Sequence, residues 1–150
     1  MNKKYRFIKT NIEYLRQKSE PVSPAEAVGI ASRLKGYLVM CGDKGSGLSA
    51  IQIGVPKRVC VVKLSEGTKT LINPEVTYRG DEVETKREGC LSFSGRRFLV
   101  ERPLDIKIKY LNESGDTVEI SLMEQDARIV LHEIDHMDGI VIPDIGKEVT

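Results

Sequence analysis

Apolar residues in the stretch PVSPAEAVGIASRLKGYLVMCG return every three or four positions, placing Ala27, Ala31, Leu34 and Leu38 on one face, the spacing of an amphipathic helix. Ser23 is placed to cap it, Pro24 suits the first helical position and Glu26 completes a capping box. The pattern therefore predicts a helix from Pro24 to about Cys41, stopped by Gly42. The period then changes. The runs KRVCVVKL, TLINPEVTYRG, RRFLVERPLDIKIKYLN and TVEISL read as strands, and the polar NESGD between the last two reads as a hairpin loop. A helical period returns in ISLMEQDARIVLHEIDHMDG. Here Ser121 is the predicted cap and Glu124 its capping-box partner, Ala127, Val130, Leu131 and Ile134 form the buried stripe, and Gly139 is the stop. One helix, a run of antiparallel strands and hairpins, and a second helix packed against the sheet predict an α+β fold.

A length of 150 residues, 40% hydrophobic and 30% charged, fits one compact domain spanning residues 1–150. The net charge of +1 builds no strong field for nucleic acid or an anionic membrane, and the sequence carries no nucleic-acid-binding motif. The basic start MNKKYRFIKTNIEYLRQ is not followed by an apolar signal core or a spanning segment, so a soluble, cytoplasmic protein is expected. The three cysteines, Cys41, Cys60 and Cys90, lack CxxC spacing and do not resemble a secreted disulfide framework. Cys60, inside RVCVVKL, reads as a small buried hydrophobe, and Cys41 as the end of the first helix.

The only two histidines, His132 and His136, stand four apart around Glu133. On a helix that leaves them about 40° apart around the axis and about 6 Å along it, so both imidazoles can reach one ion. HExxH carries a mechanism in this spacing, two imidazoles for a metal and a carboxylate for protons; the plain alternative is a solvated, charged helix face. A third ligand separates the two. No histidine follows His136, which counts against a zincin-type peptidase, while Cys90 in REGCLSFSG is the best available third ligand. A closed structural zinc site needs a fourth, and neither Cys41 nor Cys60 has the context for it. Upstream, Gly42 to Gly47 has the interval of a phosphate-binding loop, but Leu48 stands where the lysine is required, so nucleotide binding is rejected. Gln52, in the otherwise apolar LSAIQIG, offers a carboxamide donor for developing negative charge.

Taken together, GSGLSAIQ (Gly45 to Gln52), EGCLS (Glu88 to Ser92) and HEIDH (His132 to His136) resemble, in order and spacing, the three signature motifs of peptide deformylases. The resemblance implies an enzyme that removes the N-formyl group from the initiator methionine of new polypeptides. It implies Cys90, His132 and His136 as metal ligands with one position left open, Glu133 as general base and acid, and Gln52 with the backbone N–H of Leu91 as oxyanion donors. Peptide contacts are implied for Gly45, Gly47, Glu88, Gly89, Arg97 and Ile129, with the peptide lying extended along a strand edge. The donor set permits Zn²⁺, Fe²⁺, Co²⁺ or Ni²⁺, and the resemblance favours Fe²⁺ as the native ion. A monomer is expected.

Four positions depart from the family pattern: Ile51, Ser94, and, on the turns before His132, Gln125 and Arg128, where relatives place apolar residues around the methionine pocket. Two roles are open to Arg128, attraction of acidic peptides or a solvated place on the helix surface. Pro143 and Gly146 in IVIPDIGKEVT argue against a long helix after Gly139, so ribosome association is not expected through such a helix.

Overall fold

The structure, a computed structural model, describes residues 6–150; the first five residues of the basic start lie outside the described residues. In chain order come α1 (Ile12–Leu15), α2 (Pro24–Cys41), β1 (Gly47–Ser49), β2 (Val59–Leu64), β3 (Gly67–Arg79) and β4 (Val83–Glu88). Then follow β5 (Arg97–Pro103), β6 (Asp105–Leu111), β7 (Thr117–Met123), α3 (Glu124–Met137), α4 (Ile142–Ile145) and β8 (Lys147–Val149). Five strands form an antiparallel sheet in the order β1-β2-β3-β6-β7, and three form a second, β4-β5-β8. The α3 helix touches β1 and β2 of the larger sheet and β5 of the smaller one, so residues on its faces reach both. The α+β expectation is met.

The α2 helix keeps its predicted limits: Ser23 Oγ accepts from Glu26 N–H at 3.3 Å, Pro24 opens the helix, and Gly42 ends it at φ 58°. Its buried face, Ala27, Ala31, Leu34 and Leu38, packs with Val59 and Val61 of β2. Cys60 and Val62 point the other way, into the core beneath α3. A strand covered on both sides needs no polar alternation, which is why RVCVVKL is continuously apolar and why Cys60 is fully buried. The NESGD loop forms as expected, with Asn112 Oδ1 accepting from the N–H groups of Ser114 and Asp116 and Gly115 at φ 85°.

The start of α3 corrects the sequence reading. Ser121 does not cap a helix; it lies in β7 opposite Lys107, and pairing continues through Leu122 and Met123 to Ile106 and Asp105. The inward Leu122 and the ladder hydrogen bonds hold these residues extended, so a tertiary pairing outweighs a local capping signal. The chain turns at Glu124, which has φ 54° and donates its N–H to Leu104 O. Met123 occupies the cap position without a side-chain bond, and Glu124 and Asp126 place negative charge in the first turn. The stripe of Ala127, Val130, Leu131 and Ile134 is buried as predicted.

Gly139 follows α3 at φ 76°, and a Cβ there would collide with Arg16 O. Gly139→Ala meets both a left-handed backbone and a backbone clash, so it lowers unfolding stability by at least about 2 kcal/mol in denaturant titration. Beyond it the chain makes only the short α4 and then β8, which pairs with Arg97–Leu99 of β5. Among the described residues no helix is long and apolar enough to cross a membrane.

Candidate metal centre

Cys90 stands two residues past the end of β4, and His132 and His136 lie one turn apart on α3. Their ligating atoms all fall within 4.8 Å of one another; Cys90 Sγ is 3.4 Å from His136 Nε2. No fourth His, Cys, Asp or Glu among the described residues joins this cluster.

The protonation of His132 follows from its neighbour. Burial opposes a charge on Glu88, but hydrogen bonds from His132 and Arg102 and the field of Arg102 outweigh it and hold the carboxyl at about 2. An ionised carboxylate only accepts, so His132 Nδ1, 3.0 Å from Glu88 Oε1, carries the hydrogen and Nε2 is left for an ion. Burial, reinforced by the charges of His132 and Arg102, keeps the His136 pKa well below its ordinary value, and a neutral imidazole is the form that binds metal. Burial also works against charge on His132, yet the Cys90 sulfur and Glu88 push its pKa well above the ordinary value by drawing a proton onto it. On the side of His132, between Cys90 and Glu88, the site thus favours positive charge. A divalent ion fits both that preference and a soft sulfur with two nitrogens.

Glu133 is 4% exposed, and burial pushes its carboxyl above the usual range. Ser49 Oγ lies 3.0 Å from both Glu133 Oε1 and Glu133 O, which fixes the side chain's direction. A Cβ on Gly47 would come within 2.7 Å of Glu133 Oε2, so β1 can approach the carboxylate only with glycine there. Gln52 is buried in a 3₁₀ turn, Ala50–Ile53. Ser49 N–H donates to its Oε1 at 3.0 Å, so Nε2 faces the cluster, 3.1 Å from Ser92 Oγ and 3.6 Å from Cys90 Sγ. Leu91 opens a second 3₁₀ turn, Leu91–Phe93, where the first N–H groups have no acceptor within the turn.

A cleft of about 580 Å³ opens onto these groups, and Gly45, Gly47, Gly89, Arg97 and Ile129 border it, as do the departures Ser94 and Gln125. Glu88 and Arg128 turn their charges toward each other, which corrects the reading of Arg128. Glu88 borders the cleft, and its oxygens accept from Arg102 Nε and Nη2 at 2.6 and 2.9 Å, from Arg128 Nη1 at 2.7 Å, and lie against His132. Arg128 is neither solvated nor free for acidic peptides. It is 6% exposed, and its terminal nitrogens are spent on Glu88, Val100 O and Glu84 O.

Sequence reasoning missed Ser49 and Arg102. Arg102 also reaches Asp135 Oδ2 at 2.8 Å, and its signal was its phase: it shares the inward face of β5 with Phe98 and Val100. An arginine at that period in a strand has to be paired.

An α+β fold that brings a three-ligand Cys/His/His cluster beside a buried glutamate and a buried amide has the make-up of a metallohydrolase. The family model described as polypeptide deformylase matches residues 4–149. The chain is 42% identical over 139 residues to peptide deformylase 2 of Clostridium perfringens, covering 91% of this chain and 88% of that protein. Identity to the peptide deformylase of Pseudothermotoga lettingae is 37% over 132 residues, 87% of this chain and 76% of that one. The crystal structure of peptide deformylase from Thermotoga maritima matches with a TM-score of 0.87 at 34% identity, covering 94% of this chain and 96% of that chain. That of a probable peptide deformylase from Synechococcus phage S-SSM7 gives 0.83 at 36%, covering 92% and 97%. The chain belongs to the peptide deformylase family, metal-dependent enzymes that remove the formyl group from nascent peptides.

Proposed function

We propose that this enzyme hydrolyses the formamide of N-formyl-methionyl peptides at the cluster of Cys90, His132 and His136, with Glu133 moving the proton. The convergence of these three ligand atoms within 4.8 Å, beside Glu133, is the observation that carries the reading. When bound there, a divalent ion supplies Lewis-acid activation of water and of the formyl oxygen. Glu133 takes a proton from the attacking water at Oε2, the oxygen facing Gly47, and returns it to the leaving nitrogen; formyl peptide and water become formate and free amine. Gln52 Nε2 and Leu91 N–H donate to the oxygen as it gains charge. Gly45, Gly47 and Gly89 border the cleft in which an extended peptide backbone lies, while Ile129 supplies apolar wall for the methionine side chain. Fe²⁺ is the native ion in this reading, with Zn²⁺, Ni²⁺ or Co²⁺ able to substitute.

Metal removal tests it. Protein stripped by a chelator loses formate release and regains it with one equivalent of Fe²⁺ added without oxygen; Cys90→Ala fails to regain it because the soft ligand is gone. Full turnover by the stripped protein would remove the metal from the mechanism.

A further inference from the structure

We infer that Arg128 is a positioning residue for the metal centre, a staple holding the strand that delivers Cys90 against the helix that delivers His132 and His136. The inference rests on the proposed role of those three residues as ligands. They come from two separate elements, so their spacing depends on how firmly β4 is tied to α3. Arg128 sits one turn before His132 on α3 and crosses that gap. Its Nη2 donates to Glu84 O at 2.6 Å, near the start of β4; its Nη1 donates to Glu88 Oε2 at 2.7 Å, at the end of β4, and to Val100 O at 2.8 Å on β5. One side chain thus grips both ends of β4 and its neighbour.

Glu88 passes the constraint on, because its other oxygen lies 3.0 Å from His132 Nδ1. The ladder to β5 holds β4 within its sheet, but of its six residues only Glu88 is buried, so apolar packing ties it only weakly to α3. Arg102 joins Glu88 to Asp135 of α3 from the far side, but its side chain bonds no backbone group of β4. A guanidinium suits the task because its planar fork serves several acceptors at fixed angles, whereas an ammonium is a point charge on a flexible stem.

The test measures Zn²⁺ release into excess chromogenic chelator from the Zn²⁺-loaded parent, Arg128→Met, Arg128→Lys and, as a control, Arg58→Met. Arg58 holds the other end of α3, through Met137 O and Asp138. Arg128→Met releases Zn²⁺ about 10- to 50-fold faster than the parent, in the range found when outer partners of metal ligands are removed. Arg128→Lys falls between, and Arg58→Met lowers the melting temperature without changing release. Arg128→Met releasing Zn²⁺ at the parent's rate, whatever its melting temperature or its KM for peptide, would overturn the proposal. If Arg128→Met does not fold, Arg128→Lys at the parent's rate does the same. A parent that binds no Zn²⁺ sinks the ligand assignment itself, a different failure.

Discussion

Replacing Glu133 with glutamine lowers formate release by about three orders of magnitude, within the span that a positioned acid–base group contributes. The substitution keeps the shape, and Ser49 Oγ can still donate to the carbonyl oxygen that replaces Oε1, 3.0 Å away. It removes only the ability to take and return a proton. The bound metal and KM are retained, because Glu133 is not among the three clustered residues that could hold the ion. Stability moves the other way. Burial raises the Glu133 carboxyl, and an acid whose folded pKa exceeds its unfolded one subtracts stability once the pH passes the unfolded value. In the metal-free protein at pH 7 the neutral amide therefore melts at the same or a higher temperature. Steady-state formate release, metal content and thermal melting check the three parts, and a variant keeping a tenth of the parent's turnover would remove Glu133 from its role.

The second large effect is on folding. Glu88→Gln leaves the guanidiniums of Arg102 and Arg128, 5% and 6% exposed, without the anion between them. Breaking a buried pair in this way costs about 3–5 kcal/mol. Part of the loss is offset by Asp135, which still accepts from Arg102 Nη1. The glutamine can also turn its NH₂ toward His132, so Nδ1–H loses its acceptor and the imidazole loses its fixed tautomer. Denaturant unfolding is expected to show the stability loss with an unchanged slope, and the purified variant to hold less metal than the parent. Unchanged stability would mean that water or neighbouring carbonyls, rather than Glu88, compensate the two arginines.

What the sequence disclosed depended on whether a signal was local. The α2 helix was legible because Ser23, Pro24 and Gly42 act within one turn of where they stand. HExxH was legible because helical spacing alone puts both imidazoles on one side. Cys90 came only by elimination and by the resemblance, since a lone cysteine has no spacing of its own. The misreadings arose where distant chain decides. Ser121 has the form of a cap, yet pairing with Lys107 keeps it in β7. Nothing in VETKRE announces a strand; β4 exists because it pairs with β5 from Val83–Pro103 to Glu88–Phe98. Arg128 looked like a charge for solvent or substrate because its acceptors lie 28 to 44 residues away in sequence.

The most direct measurement is formate release from formyl-Met-Ala-Ser by protein prepared without oxygen and loaded with one Fe²⁺ per chain. The result expected is one formate for each free Met-Ala-Ser produced, with both internal peptide bonds intact. Absence of formate from protein carrying its full equivalent of metal would contradict the assignment of Cys90, His132, His136 and Glu133 to deformylation.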